Sequence, residues 1–302
     1  MLKNFTDIKT LAAGRGQMSI AIAAAEDANT IQALKDLREH LPVKYHLVGG
    51  IAKVAAVCAE VGLDTTPHEI ISTNSDEESA AKAVELCKND TATILMKGAL
   101  GTSTLLKAVL DKETGIRQEK GGGGLISHLA VLECPTYHKL MFMTDGGINP
   151  APDVDKKQSI LENTIRFMHR LGIGSPKVAA LCAVETVSDK MPETVDAAEL
   201  ATRNRNGQIT GCLVEGPLSF DLAISSESAR MKGIESQVAG DTDVFLMPNI
   251  STGNIMSKAL LYLAGAKMAG CVLGAKVPIV LTSRGATAEE KLLSFLLTLA
   301  AG

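Results

Sequence analysis

No tryptophan occurs in these 302 residues, and aromatic side chains make up only 3% of them. The core has to be built from Ala, Val, Ile, Leu and Met, within an apolar total of 46%. Aromatic poverty argues against the stacking platforms that bind single-stranded nucleic acid. Runs of Lys and Arg are also missing, and the formal net charge is −4, so no global field draws in a polyanion. Nucleic acid is therefore not an expected partner, and any anionic ligand must be held by a local pocket. No apolar run reaches membrane-spanning length, no basic amphipathic helix is evident, and the N-terminus lacks the apolar stretch of a signal peptide. The expectation is a cytoplasmic protein with no membrane partner. The six cysteines (Cys58, Cys87, Cys134, Cys182, Cys212 and Cys271) lie far apart with no Cys-x-x-Cys, which fits reduced, mostly buried thiols. Histidines at 40, 46, 68, 128, 138 and 169 form no ligand pattern and carboxylates do not cluster, so no metal is expected. His128, beside Ser127, is the only histidine near candidate site loops, and a satisfied structural role is expected for it.

Short aliphatic runs alternate with helical patterns almost from end to end. Strands are expected at 18–24, 45–48, 69–72, 93–96, 127–132, 140–144, 178–183, 210–214, 244–247, 271–273 and 278–281. Helical patterns fall between them, for example at 28–41, 79–88, 103–110, 154–171 and 255–266. Such alternation reads as βαβ units in parallel sheets covered on both faces. Eleven strands are too many for one compact sheet of this kind. Two α/β domains with mostly parallel sheets and an interdomain cleft are expected, a discontinuous first at 1–135 plus 276–302 and a second at 136–275. A glycine-rich stretch at 115–124 is the clearest break in composition. It reads as a hinge, a mobile loop, a loop whose backbone approaches a ligand, or a plain connection.

The most informative stretch runs from Val277 through Leu281 into Thr282-Ser283-Arg284-Gly285-Ala286-Thr287-Ala288-Glu289-Glu290. It places a hydroxyl, a guanidinium, backbone N–H groups and a carboxylate at the carboxyl end of a strand, where open α/β sheets hold ligands. The helix start favours an anion, and a guanidinium recognises phosphate oxygens with two parallel bonds. A plain helix cap with a dipole-complementing Glu explains part of the same pattern. Met96 to Thr104 is a second strand, glycine turn and helix start. It lacks Walker A spacing, which argues against a nucleotide triphosphatase, while Lys97 offers a positive point or is an ordinary rim lysine. The stretch at 142–153 carries Asp145 and Asn149, which hold a polar ligand or orient the loop, and Asp153, which reads as the cap of the next helix. Glu215 to Asp221 and Asp243 to Gly253 follow two further strands. In the latter, Ser251, Thr252, Gly253 and Asn254 read as a helix opening with backbone donors.

Several of these loops together resemble one family. Lys97-Gly98 with Thr102-Ser103, Ser127-His128, Thr144-Asp145 with Asn149 and Ala151-Pro152-Asp153, and Gly216-Pro217-Leu218 with Asp221 carry the resemblance. So do Val238-Ala239-Gly240 through Gly253-Asn254, and Gly274-Ala275-Lys276 through Thr282-Ser283-Arg284. The chain is similar to the phosphate acetyltransferase/butyryltransferase family, closest to its butyryltransferase branch, from roughly residue 90 to the end. The resemblance implies two α/β domains related to the isocitrate/isopropylmalate dehydrogenase fold, with the active site in the cleft between them. It implies reversible transfer of a short acyl group, butyryl in the first instance, between coenzyme A and inorganic phosphate. Acyl-CoA, coenzyme A, phosphate and acyl phosphate are the implied ligands, with no metal or redox cofactor and a homodimer or larger homo-oligomer. Ser283, Arg284 and Glu290 take the implied catalytic roles, Glu290 standing where the acetyl branch commonly has Asp. Lys97, Gly98, Thr102, Ser127, Asp145, Asn149, Pro217, Gly253 and Asn254 are the expected substrate-binding positions. Leu125 stands where the acetyl branch has a phosphate-binding arginine, with Arg117 or Lys97 as compensating candidates.

A coenzyme A thiol, with a pKa near about 8.5, is mostly protonated at neutral pH and needs a base. Thiolate attack on an acyl phosphate needs no side-chain nucleophile, so direct transfer in a ternary complex is expected. Cys134 and Cys271, in aliphatic segments without a histidine partner, are expected to be packing residues. Other readings are an acetyl or branched-chain enzyme of the same family, a nicotinamide-dependent dehydrogenase, a non-catalytic sensor, and a long-chain acyl-phosphate enzyme. The dehydrogenase is disfavoured because no Rossmann glycine fingerprint follows a strand.

Overall fold

The computed structural model describes residues 2–16, 18–118, 124–282 and 285–302. In chain order its elements are α1 (Phe5–Ala13), β1 (Met18–Ala23), α2 (Ala28–Arg38), β2 (Val43–Gly49), α3 (Ile51–Val61), β3 (Glu69–Ser72), α4 (Asp76–Lys88), β4 (Ile94–Lys97) and α5 (Thr102–Val109). Then follow β5 (Ser127–Glu133), β6 (Met141–Thr144), α6 (Val154–Arg170), β7 (Lys177–Leu181), α7 (Pro192–Arg205), β8 (Leu213–Leu218), α8 (Phe220–Ile224) and α9 (Ser226–Met231). The chain closes with β9 (Val244–Leu246), α10 (Ile250–Leu263), β10 (Lys267–Leu273), β11 (Ile279–Val280) and α11 (Ala288–Ala300). These elements form two compact units. The first comprises Phe5–Gly124 and Ala269–Gly302, and the second is centred on Leu125–Met268.

In the first unit the strand order is β3-β2-β1-β4-β11-β10, parallel except for the β10–β11 pair. All four residues of β4 and the last four of β1 are buried, as expected of strands covered on both faces. Ile20, Ile22, Leu34, Leu37, Leu47, Ile94 and Phe295 fill the core. Each such side chain contributes about 1.5–3 kcal/mol by leaving water. Local chemistry starts the helices. Asp27 caps α2 by accepting the Thr30 N–H, and Ser75 caps α4 ahead of the acidic turn Asp76-Glu77-Glu78. The buried Lys291 of α11 reaches the Asp27 carboxylate and the Thr30 hydroxyl, pinning α11 to α2.

In the second unit the order is β5-β6-β9-β7-β8, with only β5 antiparallel to its neighbour. Its core includes Leu132, Met141, Leu181, Leu218, Leu222 and Phe245. Lys139 is buried between the carboxylates of Asp241 and Asp243 at 2.8 and 2.7 Å. Its ammonium, with those of Lys177 and the imidazole of His138, holds the Asp241 carboxyl well below the usual range against the opposing effect of burial.

Strand order and orientation make the chain a mixed α/β protein with mostly parallel strands. Several boundaries differ from expectation. The units divide after Gly124 and after Met268, not at 135 and 276, because Leu129 to Leu132 of β5 pair residue by residue with β6. β8 spans Leu213–Leu218 instead of 210–214, carrying Gly216 and Pro217 inside a strand; it lies at the end of its sheet, where proline is tolerated. β10 begins four residues early, at Lys267.

Candidate active site

Register sets which loops share an edge in each unit. In the second, Thr144 pairs with Leu246, Leu246 with Ala180, and Leu181 with Leu218, so β6, β9, β7 and β8 end together. β5 runs the other way with Leu129 opposite Thr144, which carries its first residues, Ser127 and His128, to that same edge.

Asp145 organises this edge. It is 2% exposed, and its two oxygens collect four donors. Oδ1 accepts from the Gly147 and Ile148 N–H groups at 2.8 and 2.9 Å. Oδ2 accepts from the His128 N–H at 3.0 Å and from Asn149 Nδ2 at 2.6 Å. Asn149 also donates to the Ile126 carbonyl at 2.9 Å. Of the two roles open to Asp145 and Asn149 in sequence, the hydrogen bonds are those of loop orientation.

Gly253 lies one turn inside α10, and a Cβ there would meet the Gly146 Cα at 2.7 Å. Only glycine permits this approach of helix to loop. Asn254 adds a bond from Nδ2 to the Gly146 carbonyl at 3.3 Å. The helix does not open at Ser251. Asn249 is its cap and accepts the Thr252 N–H at 3.0 Å, so the helix starts ahead of Ser251. Ser127 is fully buried, its hydroxyl accepting from Asn163 of α6 at 3.1 Å. Pro217 lies within β8, and the Gly216–Pro217 bond is cis.

The first unit gathers a second set. Lys97 ends β4 but is no rim residue. It is 5% exposed, with Nζ bonded to the carbonyls of Gly98 at 3.1 Å and Leu100 at 3.3 Å. Gly98 crosses the end of β1 so closely that a Cβ would stand 2.1 Å from the Ala24 carbonyl oxygen. Its N–H and that of Ala99 donate to Ala23 and Ala24 at 2.9 and 2.8 Å. Thr102 begins α5, whose cap position is Gly101 and therefore offers no side-chain oxygen to the first-turn N–H groups. Ser283 and Arg284 lie outside the described residues. Glu290 completes a capping box on α11: Oε2 accepts the Thr287 N–H at 2.7 Å while the Thr287 hydroxyl accepts the Glu290 N–H at 3.2 Å. Arg117, offered as compensation for Leu125, donates from Nε to the Gly124 carbonyl at 3.1 Å.

One residue departs from the structural role expected of it. His128 Nδ1 is enclosed and has no hydrogen-bond partner among the described residues. Burial lowers the imidazole's pKa, opposed by the nearby Asp145 carboxylate. Cys271 is fully buried and its thiol is pushed up by desolvation, as is that of Cys87, to about 12, so neither is poised as a thiolate.

The family profile described as phosphate acetyl/butaryl transferase matches residues 77–299. The chain belongs to this family. It is 39% identical to the phosphate butyryltransferase of Clostridium acetobutylicum over 98% of this chain and 97% of that one. A branched-chain phosphotransacylase from Enterococcus faecalis V583 superposes with a TM-score of 0.83 at 30% identity, covering 94% of this chain and 98% of the other. A 4-hydroxythreonine-4-phosphate dehydrogenase from Klebsiella pneumoniae shares the fold at TM-score 0.58 and 11% identity, over 95% of this chain and all of that one. The fold is thus dehydrogenase-like, and the chain is an enzyme, a phosphate acyltransferase.

Proposed function

We propose that this enzyme moves a butyryl group between coenzyme A and inorganic phosphate, reversibly and without a covalent acyl-enzyme. The observation that carries this reading is the near full-length match to a phosphate butyryltransferase. In the acyl phosphate direction, a carboxylate takes the proton from the coenzyme A thiol, and the thiolate attacks the acyl carbonyl. The carbon–sulfur bond forms as the bond to the phosphate oxygen breaks, and phosphate leaves. Glu290 is the proposed base. Its capping bonds fall on Oε2 and fix the side chain, which makes Oε1 the proposed proton acceptor. General-base assistance of this kind is typically worth about 10²–10⁴ in rate. Ser283 is assigned to the developing oxyanion and Arg284 to the phosphoryl group. Lys97, Gly98 and Thr102 are assigned to an anionic part of a substrate, supported by the absence of a side-chain cap on α5. Asp145, Asn149, Gly253 and Asn254 are assigned to shaping the second unit's edge, and Ser127 and Pro217 to the strands that carry it. The test is phosphate-dependent release of coenzyme A thiol from butyryl-CoA, with acetyl-, propionyl- and branched acyl-CoA as competitors. The similarity to a branched-chain phosphotransacylase is the reason the branched substrate belongs in that set.

A homodimer is the proposed assembly. On α10 only Gly253 is buried, while Ile255, Tyr262 and Leu263 are 69%, 76% and 87% exposed. An apolar stripe of this kind, with Lys258 as its single charged residue, suits an isologous contact with a second copy.

A further inference from the structure

Among the described residues at the second unit's strand edge, His128 carries a ring whose chemistry the fold leaves unspent. Its backbone is held at both polar groups: the N–H donates to Asp145 Oδ2 at 3.0 Å, and the carbonyl accepts from the Thr144 hydroxyl at 2.9 Å. Its ring is held as firmly. The Gly147 backbone lies across it, and a Cβ at that glycine would stand 2.8 Å from His128 Cγ. An imidazole fixed this way, on a strand rather than a free loop, has one orientation.

The two ring nitrogens differ. Nδ1 is enclosed and has no partner among the described residues. Nε2 has no hydrogen bond among the described residues either, but it is not enclosed, so it remains reachable from outside. Nδ1 is unpartnered whether or not it carries the proton, so only Nε2 can gain a bond from a ligand. The neutral tautomer protonated on Nε2 presents a donor there. Burial favours this neutral form over the cation. A preorganised donor with no partner of its own, at the edge where α/β sheets hold ligands, calls for an acceptor from outside.

We propose that His128 donates a hydrogen bond from Nε2 to an oxygen of the acyl phosphate, steadying the negative charge that grows as the thiolate adds. The inference rests on the acyl-transfer reading above. Side-chain amides give a direct test, since the Gln nitrogen reaches the place of Nε2 and the Asn nitrogen that of Nδ1. Wild-type turnover of butyryl-CoA with phosphate is measured first; if it is absent, the acyl-transfer reading has failed and the variants are not the reason. Given turnover, His128→Ala and His128→Asn are expected to lose about 10²-fold in kcat, the usual scale for one oxyanion donor. KM for coenzyme A should change little, and His128→Gln should recover kcat to within several-fold of wild type. Gly147→Ala, which displaces the ring while keeping its chemistry, should resemble His128→Ala. Thermal unfolding of each variant separates misfolding from lost chemistry. Asn and Ala variants that unfold like wild type and keep kcat within threefold would overturn the assignment. So would a folded Gln variant as slow as Ala.

Discussion

Asp145 shows how much one buried carboxylate can organise. Four donors converge on its two oxygens, so an amide in its place turns an NH₂ towards N–H groups whichever way it is flipped. Asp145→Asn should cost about 3 kcal/mol in chemical unfolding, because buried donors lose their acceptor. Its kcat should fall as well, since the loop also positions Gly147 on His128. Glu290 poses a different question, because its carboxylate serves the helix start whether or not it serves catalysis. Gln is also compatible with a capping box, so Glu290→Gln separates the two roles. The variant should keep its unfolding midpoint and lose at least about 10²-fold in kcat. Unchanged turnover from pH 6 to pH 9 would remove Glu290 as the base. Sequence could name these residues as chemically loaded but not say which way they faced. Asp145 was open between ligand and loop, and only the register of β5 against β6 reveals the His128 N–H as its partner. The unpartnered Nδ1 had no sequence signal at all, because it depends on the backbone of Gly147, which sequence cannot place over the ring.

Among the elements, strands were the most legible. The aliphatic runs of a sheet covered on both faces stand out whatever their partners, and each expected run overlaps a strand. β8 slipped because Gly216-Pro217 reads as a breaker, and only its place at the sheet's end makes it a strand. The sequence pattern starts α10 five residues late because Ser251 and Thr252 resemble its opening. Asn249 is the cap instead, so Asn249→Ala should cost about 1 kcal/mol, read as a lower melting temperature. The capping box on α11 makes a parallel case: Thr287→Ala should cost a similar amount, about 1 kcal/mol, with Glu290 still present.

The whole molecule carries a pH dependence that sequence could not supply. His68 lies against the Tyr45 ring at 4.3 Å and accepts the Tyr45 N–H on Nδ1. Burial, with repulsion from Arg38, His46 and Lys44, lowers its pKa from 6.5 to about 4, against a smaller opposing pull from Asp64. As pH falls below 6.5 the unfolded chain takes up this proton before the native state does. Stability should therefore be complete above pH 6.5 and decline towards pH 4, and His68→Asn should flatten the curve. His128, shifted in the same direction, keeps some slope in that variant. At this scale the proposed homodimer is equally testable: Leu263→Glu on α10 should leave a monomer by light scattering where the unaltered chain gives a dimer, without lowering the monomer's own melting temperature.

The central claim, acyl exchange between coenzyme A and phosphate with a preference for butyryl, has one direct measurement. Purified enzyme is given acetyl-, propionyl-, butyryl- or isobutyryl-CoA with and without phosphate, and free thiol is followed by absorbance. The account predicts release that depends on phosphate and proceeds without added metal or nicotinamide. It also predicts that kcat/KM peaks at butyryl, each missing methylene costing about tenfold or more. A folded enzyme that releases no thiol in response to phosphate, with any of the four, would contradict it.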